Sequence, residues 1–344
     1  MNTIRVAKAG ISTTVQDGGR LHLRHLGVVV SGAMDLLSYE LANLMVGNEA
    51  GAAALEMTCS GDTLEVSADT LIAIHGADMN PQFVDKNNAN YCVPQNRPVL
   101  IRSEGRLRFG NAREGFRAYV AVAGGVDVPI IMHSRSTYLR AGVGGFQGRV
   151  LKAGDLLPIG SAPAKANNIK QRLLRFDDSS QSLAAPGWFV RVFDPPTEGT
   201  VRLQVIPGLH FHELEEASQN ALFADTFQVA ASSDRMGYRL NGPKLKSLSS
   251  REVLSEGITV GTIQLPADGD PIIIMSDGAP TGGYPRIAHV ASVDLPLAAQ
   301  IRPGQTLNFS PISVASAHQK LFAQRKRLKQ IINTFQLWID GTIP

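Results

Sequence analysis

Short apolar runs, bounded by glycine, proline and other turn formers, recur along most of this chain. Runs of this length and spacing are typical of β-strands. The sequence predicts strands at Thr63–Val66, Leu71–His75, Val99–Arg102, Leu107–Phe109, Phe116–Ala123, Thr200–Ile206, Gly261–Leu265 and Pro271–Met275. After the Phe116 run, the pair Gly124-Gly125 followed by Pro129 predicts a turn that ends the strand.

Helical spacing is confined to three segments. Apolar residues recur three and four positions apart between Met34 and Met45, and Gly47-Asn48 predicts the end of that helix. The segment His212–Phe223 is a second amphipathic candidate, and residues 316–336 are the third. Few helices among many short strands favour β-barrels or sandwiches over alternating βαβ units. We therefore predict a mainly β fold.

A length of 344 residues favours two domains of moderate size. Between residues 161 and 195 the chain becomes polar and irregular, and Pro195-Pro196 closes this stretch. We interpret residues 161–195 as a linker or insertion. The predicted domains are 1–195, with that insertion at its end, and 196–344, with the C-terminal helix.

Composition and charge exclude several classes of protein. The net charge is +3, and the basic residues cluster only between Lys320 and Lys329, so nucleic acid is not an expected partner. No apolar run is long enough to cross a bilayer, and the N-terminus lacks the apolar region of a secretory signal. Cys59 and Cys92 lie outside any metal-binding spacing and are expected to be buried. These features together predict a cytoplasmic location.

Common catalytic signatures are missing from the sequence. The chain has no P-loop, no GxSxG elbow, no HExxH pair and no lysine motif for attaching biotin. The glycine-rich stretch Gly142–Gly148 has the wrong spacing for a dinucleotide fingerprint, and predicts instead a tight loop where backbone passes close to a neighbour. Histidines at 22 and 25, and at 210 and 212, make only half of a metal site, so no bound metal is predicted.

Four clusters combine glycine with polar and charged side chains. They are Thr13–Arg20 followed by Ser31–Asp35, Ser134–Thr137, Ser233–Leu240, and Gly261–Gln264 followed by Ser276–Gly278 and Thr281–Pro285. Turns between strands explain the glycines, serines and aspartates. They do not explain why arginine, glutamine and tyrosine accompany them. Such groups can clamp an anion and donate hydrogen bonds to an amide, which favours a polar small-molecule site.

The same clusters carry a resemblance to a known family. The stretches STTVQDGGR, SGAMD, ANLMVGN, AVAGGVDVP and SRST, and later SDRMGYRL, VGTIQLPADGDPI and TGGYPRIAHV, resemble the allophanate hydrolase subunit 2 family of carboxyltransferase-like proteins. The motifs run in order from about residue 3 to 310. The resemblance implies two cyclophilin-like β-barrel domains with a few short helices.

The family resemblance also implies an activity and partners. The family includes the C subunit of bacterial 5-oxoprolinase, the nearest member type, which implies ATP-dependent opening of 5-oxoproline to glutamate. ATP, as its magnesium complex, would be a co-substrate, and no covalent biotin is expected on this chain. The implied partners are a smaller related subunit, which resembles the B component of such complexes, and a lactam-utilising subunit, which resembles the A component. The chain alone is expected to be inactive.

Site residues are predicted on the motifs. We expect Asp277 or Asp234 to act as a base or to contact Mg-ATP, and Arg135 or Arg235 to bind an anion. The remaining substrate contacts are assigned to Gln264, Tyr284 and Thr281. All of these side chains are expected to converge on a single cleft.

Two other functions stay open on the sequence. The first is a non-catalytic regulatory subunit that binds a partner similar to a kinase inhibitor. The second is a carboxyltransferase subunit that acts on urea or a similar amide with biotin on another chain. A departure from the family pattern also bears on substrate choice: residues 277–284 read Asp-Gly-Ala-Pro-Thr-Gly-Gly-Tyr, where the family commonly has Asp-Arg-Gln-Thr-Thr-Gly-Gly-Tyr.

Overall fold

A computed structural model describes residues 2–175, 182–248 and 253–343 of the chain. The strands are β1 Asn2–Lys8, β2 Ser12–Gln16, β3 Ala54–Thr58, β4 Thr63–Val66, β5 Thr70–Asp78, β6 Gln82–Asp85, β7 Asn90–Cys92, β8 Pro98–Ile101, β9 Gly105–Arg108, β10 Glu114–Val122, β11 Leu156–Ile159, β12 Leu183–Ala184, β13 Val201–Pro207, β14 Phe227–Val229, β15 Gly237–Asn241, β16 Glu256–Gly257, β17 Thr262–Gln264, β18 Ile272–Ile274, β19 Thr281–Gly282, β20 Arg286–Val290 and β21 Thr306–Pro311. The α-helices are α1 Leu36–Met45, α2 Ala164–Arg175, α3 Glu216–Ala224, α4 Leu295–Ala299 and α5 Val314–Ile339. The prediction of a mainly β fold is confirmed, and each strand predicted above is present.

Helix α1 follows the predicted periodicity, with its boundary set by a cap. The Asp35 side chain accepts a hydrogen bond from the backbone N–H of Ser38 at 3.0 Å, which satisfies a donor that the first turn leaves open. Gly47, at φ +73°, ends the helix in the left-handed conformation. The predicted second and third helices correspond to α3 and α5.

The interpretation of residues 161–195 as irregular throughout is wrong, because α2 lies within this stretch. Ala166, Ile169 and Leu173 are buried on one side of α2, at three-and-four spacing. Three apolar residues among polar neighbours give a narrow stripe, which is easily missed when polar composition is given more weight than periodicity. Residues 177–181 of the polar stretch lie outside the described residues.

The chain forms two compact units. Unit 1 contains Met1–Gly19, Asp35–Pro195 and Arg327–Pro344, and unit 2 contains Arg20–Met34 and Pro196–Lys326. The main division therefore falls after Pro195, but each unit also takes residues from the other side of that point. The sequence-based domains 1–195 and 196–344 remain a prediction, and they differ from the compact units in these exchanged segments.

Unit 1 is built from two antiparallel sheets. Their strand orders are β11-β1-β4-β9-β6-β7 and β12-β8-β5-β10-β3-β2. Alternate residues of the strands enter one continuous apolar core, which includes Val6, Leu55, Leu64, Ile72 and Val120. The last turns of α5 belong to this unit and pack Trp338 edge-on to Trp188, with ring centroids 5.1 Å apart.

Unit 2 is organised around a closed barrel. The strand order is β13-β20-β17-β18-β15-β14-β21, with β13 and β21 parallel and the other pairs antiparallel. Closure removes exposed strand edges. Its core includes Leu203, Phe227, Leu240, Ile263 and Phe309.

Two smaller observations concern the burial of the cysteines and the composition of the helices. Cys59 is half-buried and Cys92 is exposed on β7, so the prediction that both are buried is wrong for Cys92. The short strand β7 is the last strand of its sheet, where side chains have a neighbouring strand on one side only. Among the described residues, no helix combines the length and apolar character needed to cross a membrane.

Candidate functional site

In unit 1, the carboxylate of Asp17 joins two sequence motifs that lie far apart in the chain. Asp17 follows β2, and its Oδ1 accepts hydrogen bonds from Ser134 Oγ at 2.6 Å and Gly19 N at 2.8 Å. Ser136 Oγ also donates to Oδ1, and the backbone N–H of Arg135 donates to Oδ2. A buried carboxylate with several donors fixes the loop that carries them. The 134–136 loop is therefore positioned by Asp17.

The flanking residues extend this anchor. Thr137 Oγ1 donates to the Val15 carbonyl at 2.9 Å, and Gln16 Nε2 donates to the Thr137 carbonyl at 3.2 Å. Both Gln16 and Thr137 are fully buried. The two motifs thus form one hydrogen-bonded layer, and Arg135 is the member of it whose side chain extends outwards, with 28% of that side chain exposed.

The side chain of Arg135 lines a cavity of about 500 Å³ within unit 1. This volume lies in the usual range for small-molecule sites. Arg135 Nε donates to the Val128 carbonyl at 3.0 Å, and Nη2 lies 3.3 Å from Asp127 Oδ1. Among the described residues, Nη1 has no protein partner, so one edge of the guanidinium remains available to a ligand.

A glycine turn held by Asn48 also lines the cavity. Asn48 Oδ1 accepts from Gly124 N at 2.8 Å, and its Nδ2 donates to the Val122 carbonyl at 2.9 Å. Gly124 has φ +98°, and a Cβ there would collide with the Gly160 carbonyl. Only glycine satisfies both the conformation and the close approach.

The charges and donors around the cavity restrict what it can bind. Glu49 and Asp127 also line it, so the lining contains one guanidinium and two carboxylates. An anion can approach favourably only at the side of Arg135 away from Asp127. The backbone N–H groups of Gly124 and Gly125 donate to Asn48 Oδ1 and the Val122 carbonyl, so this turn does not form a phosphate cradle. The cavity fits a small, largely uncharged polar molecule with a single anionic group better than it fits a nucleotide triphosphate.

The glycine-rich loop also hydrogen-bonds to the Arg135 segment. Gly145 N donates to the Arg135 carbonyl at 3.1 Å. Gly145 has φ +53°, and a Cβ at this position would collide with the Thr137 side chain. The close backbone approach predicted for Gly142–Gly148 is therefore present, and its neighbour is the 134–137 loop.

In unit 2, Arg235 and Asp277 form a buried bidentate ion pair. Arg235 Nε donates to Asp277 Oδ2 and Nη2 donates to Oδ1, both at 3.0 Å. The same Nη2 donates to the Gly32 carbonyl at 2.6 Å, and Ser31 Oγ donates to Asp277 Oδ1 at 2.7 Å. The side chains of Arg235 and Asp277 are only 10% and 5% exposed. This pair fastens the SGAM segment, residues 31–34, to the end of β18.

The remaining predicted residues of unit 2 occupy less constrained positions. Gln264 is buried on β17, and its Nε2 donates to the Tyr284 carbonyl at 3.3 Å. The Tyr284 side chain is 50% exposed, and Thr281 is exposed on β19. Asp234 is exposed, and its Oδ1 accepts from the N–H of Met236 at 2.8 Å, as a turn-forming aspartate does.

Comparison of the sequence with known proteins identifies its family. Residues 26–311 match the family described as the carboxyltransferase domain, subdomain A and B. The chain belongs to this carboxyltransferase family. It is 37% identical to the 5-oxoprolinase C subunit of Escherichia coli K12 over 331 residues, which is 95% of this chain and 97% of that protein. The corresponding protein of Haemophilus influenzae is 33% identical over 88% of this chain and 89% of its own length.

Carboxyltransferase domains of larger enzymes are also similar. The urea amidolyase of Saccharomyces cerevisiae is 31% identical over 96% of this chain, but the match covers only 18% of that protein. Among solved structures, the Kluyveromyces lactis urea amidolyase superposes with a TM-score of 0.80 at 32% identity, covering 94% of this chain and 19% of its own. The K. lactis urea carboxylase gives 0.79 at 30% identity, covering 94% and 28%. The chain therefore spans between about a fifth and just over a quarter of the length of these relatives.

The carboxyltransferase motifs identified from the sequence fall into two clusters. Within unit 2, the structure brings Arg235 to Asp277 and Gln264 to the backbone of Tyr284. Arg135 belongs to unit 1, with its own cavity. The prediction of one cleft shared by all of them remains a prediction.

Sequence reasoning missed the residues that hold these motifs in place. Asp17, Asn48 and Ser31 all lie inside the family motifs, yet none was assigned to the site. Each is a short polar side chain beside glycine, which is also the composition of an ordinary turn. Their partners lie 117, 76 and 246 positions away in the chain, a distance that no local pattern can reveal. No cluster of acidic, histidine or cysteine side chains suited to a metal occurs among the residues described.

Proposed function

We propose that this chain is one subunit of an ATP-dependent 5-oxoprolinase complex that opens 5-oxoproline to glutamate. The observation that carries the proposal is the length of the match to the 5-oxoprolinase C subunit, with 37% identity over 95% of this chain and 97% of the relative. The similar urea amidolyases instead contain this region as a small part of a longer chain. A match along nearly the whole length of a protein that is itself named a subunit supports a role in a complex assembled from separate subunits.

The proposed role of this chain is to bind and orient the lactam. A lactam carbonyl is a poor electrophile, and ATP supplies the phosphoryl group that activates it. One ATP, two water molecules and one 5-oxoproline are consumed, and glutamate, ADP and phosphate are released. Because the cavity of unit 1 does not suit a triphosphate, we place no ATP step there. The proposed partners are two cytoplasmic subunits, one smaller and related to this chain and the other lactam-utilising.

Arg135 is the residue that we assign to the substrate carboxylate. Arg235 is fully engaged with Asp277 and Gly32, whereas Arg135 presents Nη1 to a cavity of suitable size. A charged hydrogen bond of this kind contributes about 1.5 to 3 kcal/mol. Arg235 and Asp277 are then positioning residues, and a role for Asp277 as a base would require the ion pair to open. Gln264, Tyr284, Thr281 and Asp234 remain candidate substrate contacts; Gln264 is buried, and the other three are exposed.

The experiment combines this chain with the two proposed partner subunits, ATP and 5-oxoproline, and measures both glutamate and ADP. Arg135→Ala should raise the KM for 5-oxoproline by about ten- to a hundredfold, because it removes the carboxylate contact. Arg113→Ala, at an exposed arginine of the same unit, should leave KM unchanged. Equal KM values in the two variants would exclude Arg135 from the site, and absence of glutamate in the wild-type mixture would exclude the activity.

A carboxyltransferase role is the second candidate, supported by the TM-scores of 0.80 and 0.79 to urea amidolyase and urea carboxylase. It predicts transfer of labelled bicarbonate carbon to urea when a biotinylated carrier and a biotin carboxylase are supplied. A regulatory subunit would show neither reaction but would form a stoichiometric complex with its target.

A further inference from the structure

The outer face of the first sheet of unit 1 carries a regular arrangement of basic side chains. Arg5 and Lys8 lie on β1, and Arg106 and Arg108 lie on β9, with β4 between the two strands. We call these four side chains the cationic face. They line a shallow depression of about 620 Å³, together with Ala7, Thr63, Glu65 and Phe109.

Strand register explains the arrangement. Lys8 pairs with Thr63, which pairs with Arg108, so these residues form one row across the sheet. Arg5, Glu65 and Arg106 form the adjacent row. Cations in one row are two strands, or about 10 Å, apart, and rows are about 7 Å apart along a strand. The cationic face is therefore a small rectangle of four positive charges.

The two rows differ in how far their charge is already neutralised. Glu65 lies 3.1 Å from Arg5 Nη1 and 3.3 Å from Arg106 Nη2, and these ion pairs hold the pKa of its carboxyl below the ordinary value. In the other row, Lys8 and Arg108 are exposed, and neither forms an ion pair within the described residues. Four cationic side chains against one carboxylate leave a local excess of positive charge, concentrated around Thr63.

We propose that the cationic face is a docking surface for an acidic segment of another polypeptide. A single small anion gains little from exposed charges, because each exposed pair contributes only about 0.2 to 1 kcal/mol. Several carboxylates on one segment can engage both rows together, and the depression gives such a segment room to lie against the sheet. Complementary charge of this kind mainly accelerates association and selects the partner.

The chemistry of this face favours a polypeptide over nucleic acid. Proteins that bind single strands combine a basic groove with exposed aromatic rings on which bases stack. Phe109 is the aromatic residue of this depression, and it is only 8% exposed. The chain as a whole has a net charge of +3, which does not provide the broad basic surface typical of binding to the nucleic acid backbone. An acidic segment could bind whether or not the complex hydrolyses 5-oxoproline.

The test uses the full chain and a fluorescein-labelled peptide of alternating glutamate and serine, followed by fluorescence anisotropy at low and at physiological salt. We expect the peptide to bind with an affinity that falls as salt rises. Lys8→Glu with Arg108→Glu should weaken binding about tenfold or more, since two attractions become repulsions. Lys326→Glu with Lys329→Glu, at exposed positions on α5, changes the net charge equally and should leave the affinity unchanged.

Additional variants and a nucleic acid ligand in the same binding assay distinguish an acidic polypeptide from other partners. Glu65→Gln should strengthen binding, because it removes the acidic side chain that lines the depression. An oligothymidylate of equal charge should bind more weakly than the peptide. If charge reversal destabilises the fold in a thermal melt, Lys8→Gln with Arg108→Gln replaces it, and a smaller loss of affinity is expected. The proposal is overturned if the peptide fails to bind, if the α5 control loses as much affinity, if Glu65→Gln gives no gain, or if the oligonucleotide binds more tightly.

Discussion

Asp17 in unit 1 and Asp277 in unit 2 perform the same structural task with different partners. Each is a buried carboxylate that ties its own strand end to a motif distant in sequence. Asp17 receives hydroxyl and backbone N–H groups, all of them uncharged, from Gly19 and the 134–136 loop. Asp277 receives a guanidinium, together with the hydroxyl of Ser31.

The comparison indicates that the stability lost when an anchoring carboxylate is replaced depends on whether the groups left without a partner are neutral or charged. Without Asp17, neutral donors lose their acceptor. Without Asp277, a charged guanidinium stays in a site that is nearly closed to water. A lone buried charge is far more unfavourable than an unpaired neutral donor. The two anchors should therefore respond differently to equivalent substitutions.

The largest effect is expected for Asp277→Asn. It should reduce the free energy of unfolding by about 3 to 5 kcal/mol, since one partner of a buried ion pair is neutralised. Replacing both residues, as Arg235→Met with Asp277→Leu, should recover much of that loss because no charge remains. Chemical denaturation followed by circular dichroism measures both, and Asp268→Asn, on an exposed turn, is the control. A double variant as unstable as Asp277→Asn would contradict the explanation by buried charge.

A smaller loss is expected for Asp17→Ala, about 2 to 3 kcal/mol, because the donors it leaves are neutral. Trp188 and Trp338 both lie in unit 1, so tryptophan fluorescence reports unfolding there. Ser134→Ala with Ser136→Ala removes the hydroxyl donors but keeps the backbone ones, and should cost less than Asp17→Ala. If Asp17→Ala proved as damaging as Asp277→Asn, the distinction between neutral and charged anchors would fail.

The glycine-rich loop Gly142–Gly148, which hydrogen-bonds to Arg135, gives a third comparison. Gly145→Ala should cost about 1 to 3 kcal/mol, since alanine must adopt φ +53° and its Cβ meets Thr137. Gly142 has a similar φ, +64°, but an added Cβ there meets no atom within 4 Å. Gly142→Ala therefore measures the cost of the backbone conformation alone. The difference in stability between the two variants, measured in thermal melts, gives the cost of the contact between the added Cβ and Thr137. Equal losses would mean that the approach of Gly145 to Thr137 is not tight.

The last prediction concerns acid, where the effect builds up gradually with each pH unit. Burial lowers the pKa of His75 from 6.5 to about 3, so the folded state keeps this histidine neutral. Between these values the unfolded chain binds the proton and the folded chain does not. Stability should therefore fall by at most about 1.4 kcal/mol per pH unit as the pH drops below 6.5. His75→Phe should flatten that slope in fluorescence-monitored melts, and an unchanged slope would assign the acid sensitivity to other groups.

Much of the fold, but less of the site, follows from the sequence. Strands such as β4 are predictable because each apolar run is local and ends at turn residues. The helix α2 was missed because Ala166, Ile169 and Leu173 form a stripe too narrow to outweigh the polar composition around it. From the motifs, Arg235 and Asp277 were assigned separate chemical roles, whereas the structure pairs the two side chains with each other. Their mutual pairing arises from backbone paths that no short pattern encodes.

The exposed thiol of Cys92 has a practical consequence. Strand pairing continues the Lys8, Thr63 and Arg108 row through Gln82 to Cys92. An environment-sensitive dye coupled to this sulfur would therefore sit two strands, about 10 Å, from Arg108. The native chain thus offers a spectroscopic reporter beside the charged sheet surface, without any engineered attachment point.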